Sequence, residues 1–435
     1  MIPIHVDGTE TFAASLGRLV ARGADDLGAV EQDVRAIVSA VRVEGDDAVL
    51  RYIERFERRR PESLVIRSFD GAAALARLEP DLRAALELAA DRIRRYHEHQ
   101  RERGFRYEED GVELGMRVRP LARVGVYAPG GKARYPSSVL MSAIPARVAG
   151  VRDIVLATPA PDDRLLAAAH LAGVTSILDA GGAQAIAALA YGTASLPRVD
   201  KIVGPGNIYV ACAKKLVYGD VDIDGIAGPS EILALADDAA DPAVVAADLL
   251  SQAEHDEDAW CVLVTTSRAL AEAVVAELGP QLASLSRDSI AGASMRTRGV
   301  ALVVPTLERM AEVASLVAGE HVAYHVADPE ALFDAVEGGG AALLGGMTPV
   351  AAGDYLAGPS HVLPTGGAAR FGSPLGVYDF VVRASIIRYT TPALLRHGPY
   401  IANFARAEGL DAHARAVELR MSRHTRLGGR GEGES

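Results

Sequence analysis

Short β-branched runs alternate with alanine-rich stretches through the middle of this chain. The runs are Val124-Gly125-Val126-Tyr127, Ile154-Val155-Leu156-Ala157, Ser176-Ile177-Leu178-Asp179 and Lys201-Ile202-Val203. Strands that alternate with helices imply right-handed βαβ units and hence a parallel sheet. After Ala227-Gly228-Pro229-Ser230-Glu231 the same texture resumes in Ile232-Leu233-Ala234-Leu235, Cys261-Val262-Leu263-Val264 and Val300-Ala301-Leu302-Val303-Val304. A second α/β sheet is therefore expected, and the repeated texture suggests a duplicate of the first.

The pattern differs on either side. From Asp26 to Glu109 apolar positions recur at three-four spacing, as in Val34, Ile37, Val38 and Val41 and in Leu82, Leu86 and Ala89. That segment reads as largely helical with a charged, solvated outer face. Its Arg58-Arg59-Arg60 cluster, followed by Pro61, reads as a charged loop rather than an anion site. Thr348 to Tyr378 is too broken by Pro and Gly for a helix and too apolar for a linker, and an ordered loop of that length is usually functional. Phe380-Val381-Val382 and Ser385-Ile386-Ile387-Arg388-Tyr389 read as strand, and Ala402 to Met421 as an amphipathic helical arm interrupted at Gly409. From about Leu427 the chain reads as a disordered tail.

Composition narrows the function classes. With 435 residues, 49% of them hydrophobic, the chain can bury more than one core. A net charge of −12 argues against a nucleic-acid or anionic-membrane partner, which would need a basic surface. Cys212 and Cys261 lie in apolar runs without paired spacing, which suits buried packing in a reducing compartment. The N-terminus has no signal-peptide pattern and no run of about 18 apolar residues occurs, so a soluble cytoplasmic protein is expected.

Three groups of residues suggest chemistry. The first is a set of glycine turns after predicted strands: Pro129-Gly130-Gly131, Gly181-Gly182-Ala183-Gln184 and Gly204-Pro205-Gly206-Asn207. Turns at the carboxyl ends of parallel strands are where such sheets bind ligands, although this spacing is not the dinucleotide fingerprint and each turn alone is an ordinary connection. The second is Glu320-His321, a carboxylate beside an imidazole at the end of a helical run. The two are natural general bases near neutral pH, against the plainer reading of a solvated helix end. The third is Gln252 and His255, three positions apart in a helical run, with Asp354, His361 and His413. Oxygen and nitrogen donors of this kind suit Zn²⁺, but no local rule brings these segments together.

Tyr135-Pro136-Ser137-Ser138-Val139-Leu140-Met141, Gly181 to Ala187, Val199 to Asn207, Ala227 to Glu231, Ser251 to His255, Gly353-Asp354-Tyr355 and His361 to Thr365, taken in order, resemble histidinol dehydrogenases. The resemblance implies Glu320 and His321 as catalytic residues and Gln252, His255, Asp354 and His413 as ligands of one Zn²⁺ per subunit. It places Tyr127, Gln184 and Asn207 at NAD-associated positions. Ser230, His361 and Glu408 fall on substrate-contacting positions, joined there by Gln252, His255, His321, Asp354 and His413. It further implies a homodimer with shared active sites, in which the C-terminal arm carries Glu408 and His413 into the other subunit. The implied reaction is oxidation of L-histidinol through L-histidinal to L-histidine with two NAD, the last step of histidine biosynthesis.

One departure stands out: the family's usual Pro-Glu-His-Leu is Gly319-Glu320-His321-Val322 here, followed by Ala323-Tyr324-His325. Glycine in place of proline is expected to loosen the backbone before the pair. A related zinc and NAD dehydrogenase of another small polar alcohol, such as a diol sulfonate, is thus a second reading, and a zinc hydrolase a third. The expected architecture is α/β, with two Rossmann-like parallel-sheet domains, an N-terminal helical segment and a C-terminal arm. Its boundaries are 1–22 for an N-terminal segment, 23–123 with 235–376 for the domain of the catalytic pair, 124–234 for the NAD domain, and 377–435 for the arm.

Overall fold

The computed structural model describes residues 2–22, 27–130 and 134–428. Gly131 of the first glycine turn and the tail beyond Gly428 lie outside the described residues, while Leu427 and Gly428, expected in the tail, end a helix. The chain divides into two compact units, residues 1–101 with 120–380 and residues 102–119 with 381–435.

The larger unit holds both expected sheets. The first contains β2 (Val65–Ile66), β5 (Arg123–Tyr127), β6 (Asp153–Ala157), β7 (Ser176–Leu178), β8 (Lys201–Val203) and β9 (Asp222–Ile223), in the order β2-β7-β6-β5-β8-β9. The second contains β1 (Ile4–Val6), β10 (Glu231–Ala236), β11 (Trp260–Thr265), β12 (Gly299–Val303), β13 (His321–His325) and β14 (Ala341–Leu344), in the order β1-β12-β11-β10-β13-β14. All pairings are parallel except β2 with β7. Five strands of each sheet, numbered along the chain, share one order: third, second, first, fourth, fifth. In each, the direction of winding reverses between the first strand and the fourth, which lie side by side.

These strands read as continuous apolar runs because both faces of each sheet are covered. Alternation sends Ile232, Ala234 and Ala236 into one core and Leu233 and Leu235 into the opposite one. In the first sheet Val124 and Val126 point one way and Tyr127 the other.

The expected domain grouping changes in two places. Residues 27–98 pack on the first sheet rather than the second: Val34, Ile37, Val41, Val49 and Ile53 pack with Val155, Ile186 and Val210 of its layer, β2 joins its edge, and Leu86 and Ile93 enter its other core, which Leu375 also joins. Residues 1–22 are not a separate segment, because β1 pairs with β12, and Phe12 and Leu19 of the Glu10–Ala21 helix enter the second sheet's core. Thr9 caps that helix by accepting from Phe12 N, which fixes where the helix starts and delivers Arg22 at its far end.

The smaller unit carries a sheet in the order β15-β4-β3, from β3 (Phe105–Glu109), β4 (Val112–Pro120) and β15 (Val381–Tyr389). The β3–β4 hairpin falls partly where helix was expected. Every residue of β3 is exposed, so it lacks the one-sided apolar pattern by which a strand is recognised. Helices Thr391–Ala407 and Asp411–Gly428 follow β15 and are separated at Gly409, whose φ of 77° ends the first helix.

Candidate active site

The catalytic candidates stand at the amino end of β13, not at an exposed helix end. The Leu307–Val317 helix stops at Ala318, held at φ 45°, and the chain turns through Gly319 directly into the second sheet. Glu320 and His321 are buried there beside the amino end of β10. The expected loosening at Gly319 is offset by β14's approach: Gly340 N donates to Gly319 O and Ala341 N to Glu320 O. A Cβ on Gly340 would lie 2.4 Å from Glu320 O, so this close approach requires glycine.

Glu231, the first residue of β10, grips both side chains with its main chain. Its N–H donates to Glu320 Oε2 at 2.7 Å, and its carbonyl lies 3.1 Å from His321 Nδ1. A carbonyl only accepts, so Nδ1 carries a proton and Nε2 is the imidazole's working nitrogen. Nε2 stands 3.4 Å from Asp354 Oδ1. Burial opposes the charged form of His321, but the Glu320 and Asp354 carboxylates outweigh it and hold the imidazolium up to about 10. Asp354 responds in kind: burial raises it, yet His321, His361 and His255 keep it below the ordinary carboxylate value.

The Glu231 carboxylate is also fully engaged. Arg22 donates to both its oxygens, at 2.7 and 2.6 Å, Gly366 N donates at 2.8 Å, and Glu320 N at 3.2 Å. Arg22 and Glu231 are both buried. Neither Glu231 nor Arg22 is among the candidates drawn from the sequence. The available signal was an acidic residue opening an otherwise apolar strand, since a buried carboxylate needs a cation.

Of the metal candidates, Gln252 lies in the last turn of the Pro242–Ala253 helix, and His255 falls just beyond that helix rather than in it. The chain still curls there, with His255 N donating to Gln252 O. His255 Nδ1 faces Ser251 O at 3.0 Å, so Nε2 is the ring nitrogen not committed to that contact. Gln252 Oε1 is buried without a hydrogen-bond partner among the described residues, an arrangement that is costly unless something else binds it. Asp354 sits in the short Val350–Tyr355 helix, near enough for His255 and His361 to influence its charge. Among the described residues no three His, Cys, Asp or Glu side chains gather closely enough to hold a metal by themselves. His413 and Glu408 belong to the smaller unit, exposed on either side of the Gly409 break.

The segment expected as a functional loop contains Asp354 and ties the second sheet's site to the first sheet's layer. Ser360 Oγ donates to Met141 O, Arg92 Nε to Leu356 O, and Gly228 N to Thr365 Oγ1. His361, half-buried in the same segment, is pushed down by burial. Ser230 adjoins Glu231, and its carbonyl accepts from Trp260 N.

The cofactor candidates lie at the carboxyl ends of the first sheet, around the reversal between β5 and β8. Tyr127 ends β5, and its hydroxyl oxygen accepts from Gly182 N at 3.0 Å; Gln184 is buried in the helix that follows. Asn207 caps the Ile208–Val217 helix by accepting from Val210 N, which leaves its amide NH₂ free to donate. Gly204 is required by packing: a Cβ there would meet Tyr127 O at 2.1 Å. Arg59, from the expected charged loop, binds both oxygens of Asp179, and neighbouring Glu57 accepts from Gly181 N.

Comparison with known proteins bears on this arrangement. The model of the histidinol dehydrogenase family matches residues 20–421. The chain belongs to the histidinol dehydrogenase family. It is 51% identical to the histidinol dehydrogenase of Syntrophotalea carbinolica, across 94% of this chain and 97% of that one. To the Aquifex aeolicus histidinol dehydrogenase it is 50% identical, over 90% and 92%. A crystal structure of histidinol dehydrogenase from Elizabethkingia anophelis superposes with a TM-score of 0.90 at 34% identity, covering 98% of this chain and 99% of that one. No described helix is long and apolar enough to cross a membrane.

Proposed function

We propose that this protein oxidises L-histidinol through L-histidinal to L-histidine with NAD, as family membership indicates, and that Glu320 and His321 carry the proton transfers. The observation that carries the site assignment is their shared anchorage on the Glu231 main chain, which leaves one working atom on each. His321 Nε2 takes the hydroxyl proton as a hydride leaves the carbinol carbon. Glu320 Oε2 is bound by Glu231 N, and its Oε1, without a hydrogen-bond partner among the described residues, takes a proton from water as that water adds to the aldehyde. His321 gives its proton to the aldehyde oxygen as that water adds, and so is neutral again to take a proton from the hydrate as the second hydride departs. NAD, when bound beside Tyr127, Gln184 and Asn207, is the hydride acceptor in both oxidations.

Gln252 Oε1, His255 Nε2 and Asp354 would hold a zinc ion, with His413 supplied by a second copy of the chain. Zinc in that position would bind the substrate's imidazole and amino nitrogens and so orient the carbinol. Binding a dication to Asp354 would also offset one of the two carboxylates that favour the His321 imidazolium, which weakens the hold on the proton at Nε2. Glu408 is assigned to the N–H groups of the substrate's amino nitrogen, and Ser230 and His361 to further substrate contacts.

The test follows NAD reduction with L-histidinol and, separately, with L-histidinal. His321→Asn is expected to lower both rates by about 10²-fold or more, and Glu320→Gln to depress histidinal oxidation more than the first step. Equal, small effects from both variants would remove the assignment.

A further inference from the structure

We infer that Glu231 is a positioning residue for both catalytic side chains, and that Arg22 is the counter-charge that keeps it in place. The inference rests on the assignment of Glu320 and His321 given above. Glu231 touches the pair through three groups: its N–H holds Glu320 Oε2, its carbonyl holds His321 Nδ1, and its carboxylate accepts from Glu320 N. A displacement of this one residue therefore misplaces both bases. Effective proton transfer demands placement to within about 0.5 Å.

Glu231 cannot hold that position unaided. Burial disfavours its charged form, Glu320 beside it does the same, and the Arg22 guanidinium opposes both. Arg22 meets the carboxylate with two parallel donors and also donates to Leu19 O and Ala318 O. Ala318 precedes Gly319-Glu320, so Arg22 binds the approach to β13 as well as the start of β10. Helix Glu10–Ala21 delivers it, anchored by the Thr9 cap and by Phe12 and Leu19 in the core. Without the guanidinium, a buried carboxylate would remain beside Glu320 with no cation, and it would be driven towards water, drawing its main chain off the pair.

The experiment measures kcat and KM for L-histidinol in full-length Arg22→Met, Arg22→Lys, Glu231→Gln and the double variant Arg22→Met/Glu231→Gln, with His321→Asn as reference. Arg22→Met is expected to lower kcat by about tenfold or more while KM stays within about twofold. The double variant should recover most of that loss, because a neutral amide needs no cation and can still accept from Glu320 N or Gly366 N. Arg22→Lys keeps the charge without the planar fork and should fall between, which preserves the test if Arg22→Met does not fold. The inference is overturned if kcat is unchanged in the Arg22 variants, if KM rises with kcat intact, or if the double variant is no better than Arg22→Met. Should His321→Asn also retain full activity, the catalytic assignment itself fails, and the two failures are told apart.

Discussion

At the scale of single residues, the chemistry depends on which atoms are already committed. Three of the candidate side chains have one atom tied to a backbone group, Nδ1 of His321, Oε2 of Glu320 and Nδ1 of His255, and the other atom turned elsewhere. Gln252 differs, because its buried Oε1 has no hydrogen-bond partner among the described residues. Gln252→Ala should therefore weaken zinc binding by about 10-fold or more without lowering the melting temperature of the metal-free protein, checked by metal content after dialysis and by calorimetry. A fall in stability with unchanged zinc content would count against the ligand role. His97 supplies a pH test remote from the site. Burial holds its imidazole below the ordinary value of 6.5, with Nδ1 donating to Ile93 O. Above about pH 6.5 the residue is neutral in both folded and unfolded chains and costs nothing; as pH falls through 6.5 towards the lowered folded value, the unfolded chain gains the proton first and stability declines. Melting temperature should drop between pH 7 and 5, and His97→Asn should flatten that drop.

At the scale of elements, two close approaches set the site. Gly340→Ala would drive a Cβ into Glu320 O, and overpacking of this kind costs about 1–3 kcal/mol. The account expects a lower melting temperature together with a kcat loss beyond what partial unfolding explains, both read on the purified variant. Seven central strands, β5 to β8 and β10 to β12, were legible because burial on both faces makes them continuous apolar runs. β13 was not. It follows directly on Glu320, opens on His321 and reads His321-Val322-Ala323-Tyr324-His325, and its polar ends mask a strand whose His325 is satisfied by buried Asp248. The β3–β4 hairpin escaped for the opposite reason, since an exposed edge carries no apolar signature. The site's residue types were likewise legible, while its long-range geometry was not: Arg22 reaches Glu231 across 209 positions of sequence, and no local pattern records such a contact.

For the whole molecule, the two sheets put different tasks at opposite strand ends: cofactor candidates at carboxyl ends beside β5 and β8, the catalytic pair at amino ends beside β10 and β13. The smaller unit carries Glu408 and His413, and the proposed shared site assigns them to a second copy. Mixing Glu320→Gln with His413→Ala protomers, each inactive alone, should restore part of the activity if sites are shared between chains, and none if every site is built from one. The family's activity is a four-electron oxidation of histidinol, and the proposal gives its proton transfers to Glu320 and His321. Its most direct test is the number of NADH formed per L-histidinol consumed, with the product identified. The account predicts two NADH and L-histidine from the unmodified protein and almost none from His321→Asn; a single NADH with free aldehyde, or no turnover of histidinol at all, would contradict it.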